Sequence, residues 1–222
     1  MIIVRVLRRG GLTKMRNYKQ MKNIFRIFIT MIFVFATTSY SQSDADKVMK
    51  DLQAKFDTIK DLSVEFTQSA NGKSKLAGML FIKKENKLRI DTKNLFIVSD
   101  GTTSWSYNKK ENKVIISSYD ENDPGVFSIN ELVYGLPAES DIELSIDNGK
   151  NVLKLTPNSY EYNFDNVKLW IGENNLINKV ELNDAAMGKV EVKFSNYQLN
   201  QNLKDSEFSF TPPEGSRIID IR

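Results

Sequence analysis

The chain has 222 residues, with 31 lysines and arginines against 28 aspartates and glutamates, and contains neither histidine nor cysteine. Without those two residue types there is no Ser-His-Asp or Cys-His nucleophile, no zinc site built on imidazole or thiolate, and no disulfide framework. Carboxylate pairs remain as possible acid–base groups, but acids scattered through polar turns read as solvated surface, so the expectation is not an enzyme.

Residues 1–41 carry eight basic side chains (Arg5, Arg8, Arg9, Lys14, Arg16, Lys19, Lys22, Arg26) and no acidic one. The apolar block Ile27 to Ala36 and then Ser39-Tyr40-Ser41 complete the pattern of a secretory signal cut before Gln42. The block falls short of the ~20 residues that span a bilayer, which makes a retained anchor the weaker alternative. Met21-Lys22-Asn23 is a more ordinary start for such a leader than Met1, so residues before Met21 read as an extension. Without the leader 23 basic residues face 28 acidic ones, a net charge of −5, which gives no footprint for nucleic acid. Residues 42–222 suit a single exported domain that buries roughly 70% of the surface of its unfolded chain.

The spacing of Ala45, Val48, Met49, Leu52, Phe56 and Ile59 predicts an amphipathic helix over Ser43 to Leu62, opened by a Ser43/Asp46 capping box. Its apolar stripe needs a sheet or bundle to lie on. Strand patterns follow at Leu62 to Ser69, Leu76 to Lys84, Lys87 to Thr92, either side of Asp100-Gly101 within Asn94 to Asn108, and Lys113 to Ser118. Asp100-Gly101 with its flanking runs is the strongest hairpin signal in the chain. Leu95 to Val98 are apolar at consecutive positions, as expected of a strand covered on both faces.

Asp120 to Leu136 interrupts the strands. Ser128 to Glu131 reads as a capping box, Ile129, Leu132, Val133 and Leu136 form an apolar stripe, and Gly135 and Pro137 sit where a helix stops. A helix this short depends on packing and opens cheaply. Strands resume at Ile142 to Ile146, Val152 to Pro157, Asn163 to Ile171, Leu176 to Asn183 and Lys189 to Leu199. About eleven strands joined by hairpins predict a mainly β, α+β fold, an antiparallel meander that curls into a half-open or closed barrel. Pro212-Pro213 marks an edge or corner where the chain leaves the sheet.

Two local motifs imitate chemistry. Asp120, Asn122, Gly125 and Glu131 match four positions of a calcium loop, but Pro124 offers no ligand at the fifth and a strand precedes it. Ser106 and Lys109 have the spacing of a serine–lysine pair, but Lys109 lies in a polar turn, where a solvated hairpin is the simpler reading. Met, Phe and Leu at helical spacing are ordinarily core, so periodicity leaves a filled interior and a ligand cavity both open.

Phe66-Thr67-Gln68, Gly78 to Lys84, Val98-Ser99-Asp100-Gly101 with Trp105 and Tyr107-Asn108, Leu155-Thr156-Pro157, and Phe208-Ser-Phe-Thr-Pro-Pro-Glu-Gly215 occur in an order that resembles the periplasmic outer-membrane lipoprotein carrier, the LolA family. The resemblance covers essentially all of residues 42–222. It implies an unclosed antiparallel β-barrel of about eleven strands under an α-helical lid, holding the acyl chains of lipoproteins on their way from the inner to the outer membrane. The acyl-chain and lid positions it implies are Met49, Leu52, Phe56, Leu80, Leu88, Ile90, Phe96, Trp105, Ile129, Leu132, Val133 and Leu136. It implies as partners acylated lipoproteins and an inner-membrane lipoprotein-releasing ABC transporter, with an outer-membrane acceptor left open, and it implies a monomeric periplasmic carrier without a cofactor. The family often has a basic-x-Pro-x-x-Phe-Arg-like segment whose basic residue locks the lid. Here Lys84-Glu85-Asn86-Lys87-Leu88-Arg89 keeps a basic residue and loses the proline and the aromatic, so Lys84 and Arg89 are both candidates. A carrier of another envelope lipid and a structural β domain with a filled core remain as alternatives.

Overall fold

The computed structural model describes residues 42–84, 86–119, 129–159, 162–185 and 188–222. The leader therefore lies outside the described residues, as does the stretch 120–128 with most of the calcium-like motif. Helix α1 (Gln42–Asp57) leads into β1 (Asp61–Ala70), β2 (Lys73–Lys83), β3 (Lys87–Thr92), β4 (Leu95–Asp100), β5 (Thr103–Asn108) and β6 (Lys113–Ser118). A π-helical turn (Glu131–Gly135) runs into one α-helical turn, α2 (Leu136–Ala138). Then come β7 (Ser140–Asp147), β8 (Lys150–Pro157), β9 (Phe164–Ile171), β10 (Ile177–Asp184) and β11 (Gly188–Leu199). A 3₁₀ turn (Asp205–Phe208) and β12 (Arg217–Asp220) close the chain.

All twelve strands form one sheet in the order β12-β6-β5-β4-β3-β2-β1-β11-β10-β9-β8-β7. Two antiparallel meanders, β1 to β6 and β7 to β11, are joined where β11 pairs with β1. The sheet has two ends, β12 and β7, and is unclosed. The expectation of about eleven antiparallel strands thus holds for β1 to β11. The twelfth strand escaped it because β12 pairs with β6 in parallel, at the end of a long connection that no hairpin signal marks.

Asparagine makes many of the corners. Every described non-glycine residue with positive φ is an asparagine, and Asn71-Gly72 (φ 51° and 73°) makes the tight hairpin between β1 and β2. Asn196 (φ 56°) lies where β11 bulges against β1, between Ser195, opposite Glu65, and Gln198, opposite Ser63.

Two predicted boundaries move. Helix α1 ends at Asp57 instead of running to Leu62, because Leu62 pairs with Ile82 and Leu199 inside the sheet. The lid helix continues past Gly135 and Pro137 to Ala138. The Leu136 N–H donates to the Glu131 carbonyl across five residues, and Pro137 then stands at the start of a new turn, where its missing N–H leaves no gap.

Candidate functional site

Alternation assigns each side chain to a face, and the register carries that assignment across the sheet. Leu62, Val64 and Phe66 on β1 share a face with Leu80, Leu88, Val180, Val192 and Phe194, and this face packs with the helices into one core. The core takes in eight of the predicted positions, Met49, Leu52, Leu80, Leu88, Ile129, Leu132, Val133 and Leu136, and Phe56 and Ile90 pack against it. Leu52 and Val133 are fully buried. Both helical pieces rest on β7 and β8. The lid side chains thus fill the space between α1 and these strands.

Phe96 and Trp105 depart from the expectation. Phe96 lies across from Asp91 and Trp105 across from Val98, which places both on the convex face, away from the lid. There Phe210 stacks on Phe96 and Tyr107, at 5.4 and 5.6 Å between ring centroids, and Phe208 is fully buried. Both faces of β4 are apolar, so periodicity could not tell which one looks toward the helices.

The concave face of β4, β5, β6 and β12 is different again. One row across the sheet runs Leu80, Ile90, Ile97, Ser106, Ile115, Ile219. Ile97, Ile115 and Ile219 are half-buried and belong to no part of the core, and Ser99, Ser104 and Ser117 form the neighbouring row with Leu88. Five interstrand steps of ~4.8 Å make this an apolar path of roughly 24 Å that begins in half-open space and ends under the lid. Sequence reasoning missed the row; its local signs are the consecutive apolar runs Leu95 to Val98 and Val114 to Ile116, which put apolar side chains on both faces of β4 and β6.

The lid is fastened by a small set of polar contacts. Lys84 Nζ donates to the Asp57 carbonyl at 3.0 Å, at the C-terminal end of α1, where a cation also meets the negative end of the helix dipole. Tyr134 Oη donates to Asp57 Oδ1 at 2.6 Å, and Gln53 Nε2 donates to the Val133 carbonyl at 2.9 Å. Tyr162 Oη donates to Glu131 Oε1 at 3.3 Å, so this calcium-like position is engaged in a hydrogen bond. Burial first, then the hydrogen bond and charge of Asp57, push the Tyr134 hydroxyl up to about 12. Burial and Glu131 do the same for Tyr162. Asp57 therefore ties the sheet, α1 and the lid together.

Arg89, the other candidate lock, points to the convex face. Its guanidinium lies 4.7 Å from the Phe81 ring centroid and 5.5 Å from that of Phe96, and it meets Asp91 at 3.3 Å. It touches neither helical piece of the lid. Lys109 stands exposed in the turn after β5, as expected, and its Nζ donates to Asp91 Oδ1 and to the Thr92 carbonyl, both at 2.7 Å. Ser106, on the concave face, is not its partner. Among the described residues no group of three acidic side chains forms a metal cluster.

A mainly antiparallel, unclosed sheet with a helical cover on its concave side, and an apolar row leading toward that cover, defines a carrier-type fold. The chain belongs to the outer membrane lipoprotein carrier protein LolA family, whose model matches residues 57–211. It is 24% identical over 209 residues to the outer-membrane lipoprotein carrier protein of Azotobacter vinelandii, covering 88% of this chain and 98% of that one. It is 25% identical over 214 residues to an uncharacterized protein of Methanocaldococcus jannaschii, covering 91% of this chain but spanning only 61% of that relative. In fold it is similar to an uncharacterized conserved protein from Thermus thermophilus, at a TM-score of 0.54 and 12% identity, over 80% of this chain and 99% of that one.

Proposed function

We propose that this protein binds the acyl chains of lipoproteins in the periplasm and carries them from the inner to the outer membrane. The observation that carries the reading is the half-open row Ile219, Ile115, Ile97, Ile90, which leads to a core closed only by a hydrogen-bonded lid. An acyl chain laid along that row reaches Leu80 and Leu88, then displaces Leu132, Val133 and Leu136 from above β7 and β8. Burying a chain is worth about 0.8 kcal/mol per methylene, so one long chain gains ~10 kcal/mol or more and leaves slowly unless something opposes it. The displaced lid contacts are that opposition, and closing the lid again drives release. Lys84 is the lock, because it reaches the helix that must move, and Asp57 is its keeper.

The carrier takes its cargo from an inner-membrane lipoprotein-releasing ABC transporter and passes it to an outer-membrane acceptor. Transfer of this kind requires no covalent step from the protein. Incubation of purified protein with spheroplasts tests the reading. Newly made lipoproteins should move into the soluble fraction in complex with it, and failure to release any lipoprotein counts against the proposal. Native mass spectrometry of protein isolated from the envelope separates lipoprotein from other lipids, and a protein with neither would favour a structural domain.

A further inference from the structure

Beyond its apolar row, the open part of the concave face carries charge at one edge. Lys113 on β6 and Arg217 on β12 lie directly across from one another, two residues along from Ile115 and Ile219 and on the same face. Asn108 completes the row on β5. Neither cation forms an ion pair with a described carboxylate, and neighbouring strands put like charges only ~4.8 Å apart, an arrangement that costs stability. The convex face handles its strand cations differently. There Lys83 and Lys87 meet Asp205, Arg89 meets Asp91, and Lys179 and Lys193 meet Glu191. The acids close by in sequence do not relieve the Lys113–Arg217 pair: Asp220 is held by Arg222 at 2.6 Å, and Glu111 and Glu214 stand exposed in turns, in no ion pair with either cation.

We propose that Lys113 and Arg217 recognise acidic side chains in the first few residues that follow the acylated N-terminus of the cargo. The proposal rests on the carrier reading and names the class of cargo it takes. Two residues of strand separate the cation pair from the outermost apolar pair by ~7 Å, about the reach of two extended peptide units. An anchor whose acyl chains lie along Ile219, Ile115 and Ile97 therefore brings the start of its peptide beside the two cations. An acyl-glyceryl anchor is itself uncharged, so the peptide is where a matching negative charge must come from. Because both cations are partly solvated, their attraction is screened by salt and selects among cargoes more than it adds to affinity.

Two lipopeptides with the same diacylglyceryl-cysteine, continued either by Ser-Asp-Asp-Glu or by Ser-Asn-Asn-Gln, test this with the purified protein by calorimetry at low salt. The acidic lipopeptide should bind about tenfold more tightly. That advantage should vanish in the double variant Lys113→Gln/Arg217→Gln and shrink at high salt, while the neutral lipopeptide binds both proteins alike. Equal affinity of the two lipopeptides for the unaltered protein overturns the proposal and leaves the carrier reading intact, as does an advantage that survives in the double variant. If neither lipopeptide binds, the carrier reading itself fails and this inference falls with it. Circular dichroism checks that the double variant is folded; if it is not, Arg217→Gln alone, at the exposed edge strand, should remove part of the advantage.

Discussion

In strands β7 to β11 the concave face is packed with core, and at β7 and β8 the helices lie over it. The convex face carries ion pairs such as Lys154 with Glu143 and Lys189 with Glu181. In strands β3 to β6 the arrangement is inverted. Their convex face holds Phe96, Val98, Tyr107 and Val114 beneath Phe208 and Phe210, and much of their concave face is left half-open. Each part of the sheet needs one buried face for stability, and the chain supplies the two covers from opposite sides. The C-terminal segment thereby stabilises the open part from behind, so its concave side need not be filled. A covered face and a half-open face thus stand back to back on the same strands.

The largest test of this division removes the rear cover. Phe208→Ala should cost about 3–5 kcal/mol in denaturant unfolding, and in hydrogen exchange it should deprotect β3 and β4 before it touches α1. If α1 loosens first, the two parts are not separately stabilised. Leu132→Ala acts on the other cover. It should cost about 2–4 kcal/mol yet raise the affinity for an acyl chain, because fewer lid contacts oppose entry; lower affinity would mean the lid is plain core.

A smaller effect is expected at the fastening. Tyr134→Phe removes the hydrogen bond to Asp57 at a cost of about 1–2 kcal/mol, read as faster exchange of amides in the last turn of α1. The same bond predicts a pH limit. The Tyr134 hydroxyl is raised in the folded state from 10.0 to about 12, so its contribution is complete below pH 10 and is lost as pH rises through 12. Fluorescence of a probe on the lid should stay constant across neutral pH and change between those limits in the parent but not in Tyr134→Phe. The smallest stability change belongs to the open surface. Ile115→Ser should cost under about 1 kcal/mol while weakening acyl-chain binding about tenfold or more; a large loss of stability would make Ile115 core.

The strands from β1 to β11 were readable because short apolar patterns and local turns announce hairpins, most strongly at Asp100-Gly101. The lid residues were readable as an apolar stripe, and ten of the twelve implied acyl-chain and lid positions come together around one core. What the pattern could not carry was the choice of face. Leu95 to Val98 are apolar on both sides, and only register shows that Phe96 turns toward Phe210 and Ile97 toward Ser106. That Lys84 reaches the end of α1 while Arg89 faces the other way was hidden for the same reason, since a strand reverses direction with every residue. Parallel β12 was hidden because its partner lies about a hundred residues back.

That partnership also orders events in time. Until residues 217–220 have been synthesised, β6 has a bare backbone edge lined by Val114, Ile115 and Ile116, which no other described strand pairs with. A chain that stops short of β12 is therefore the form most prone to pair with its neighbours, edge to edge along β6.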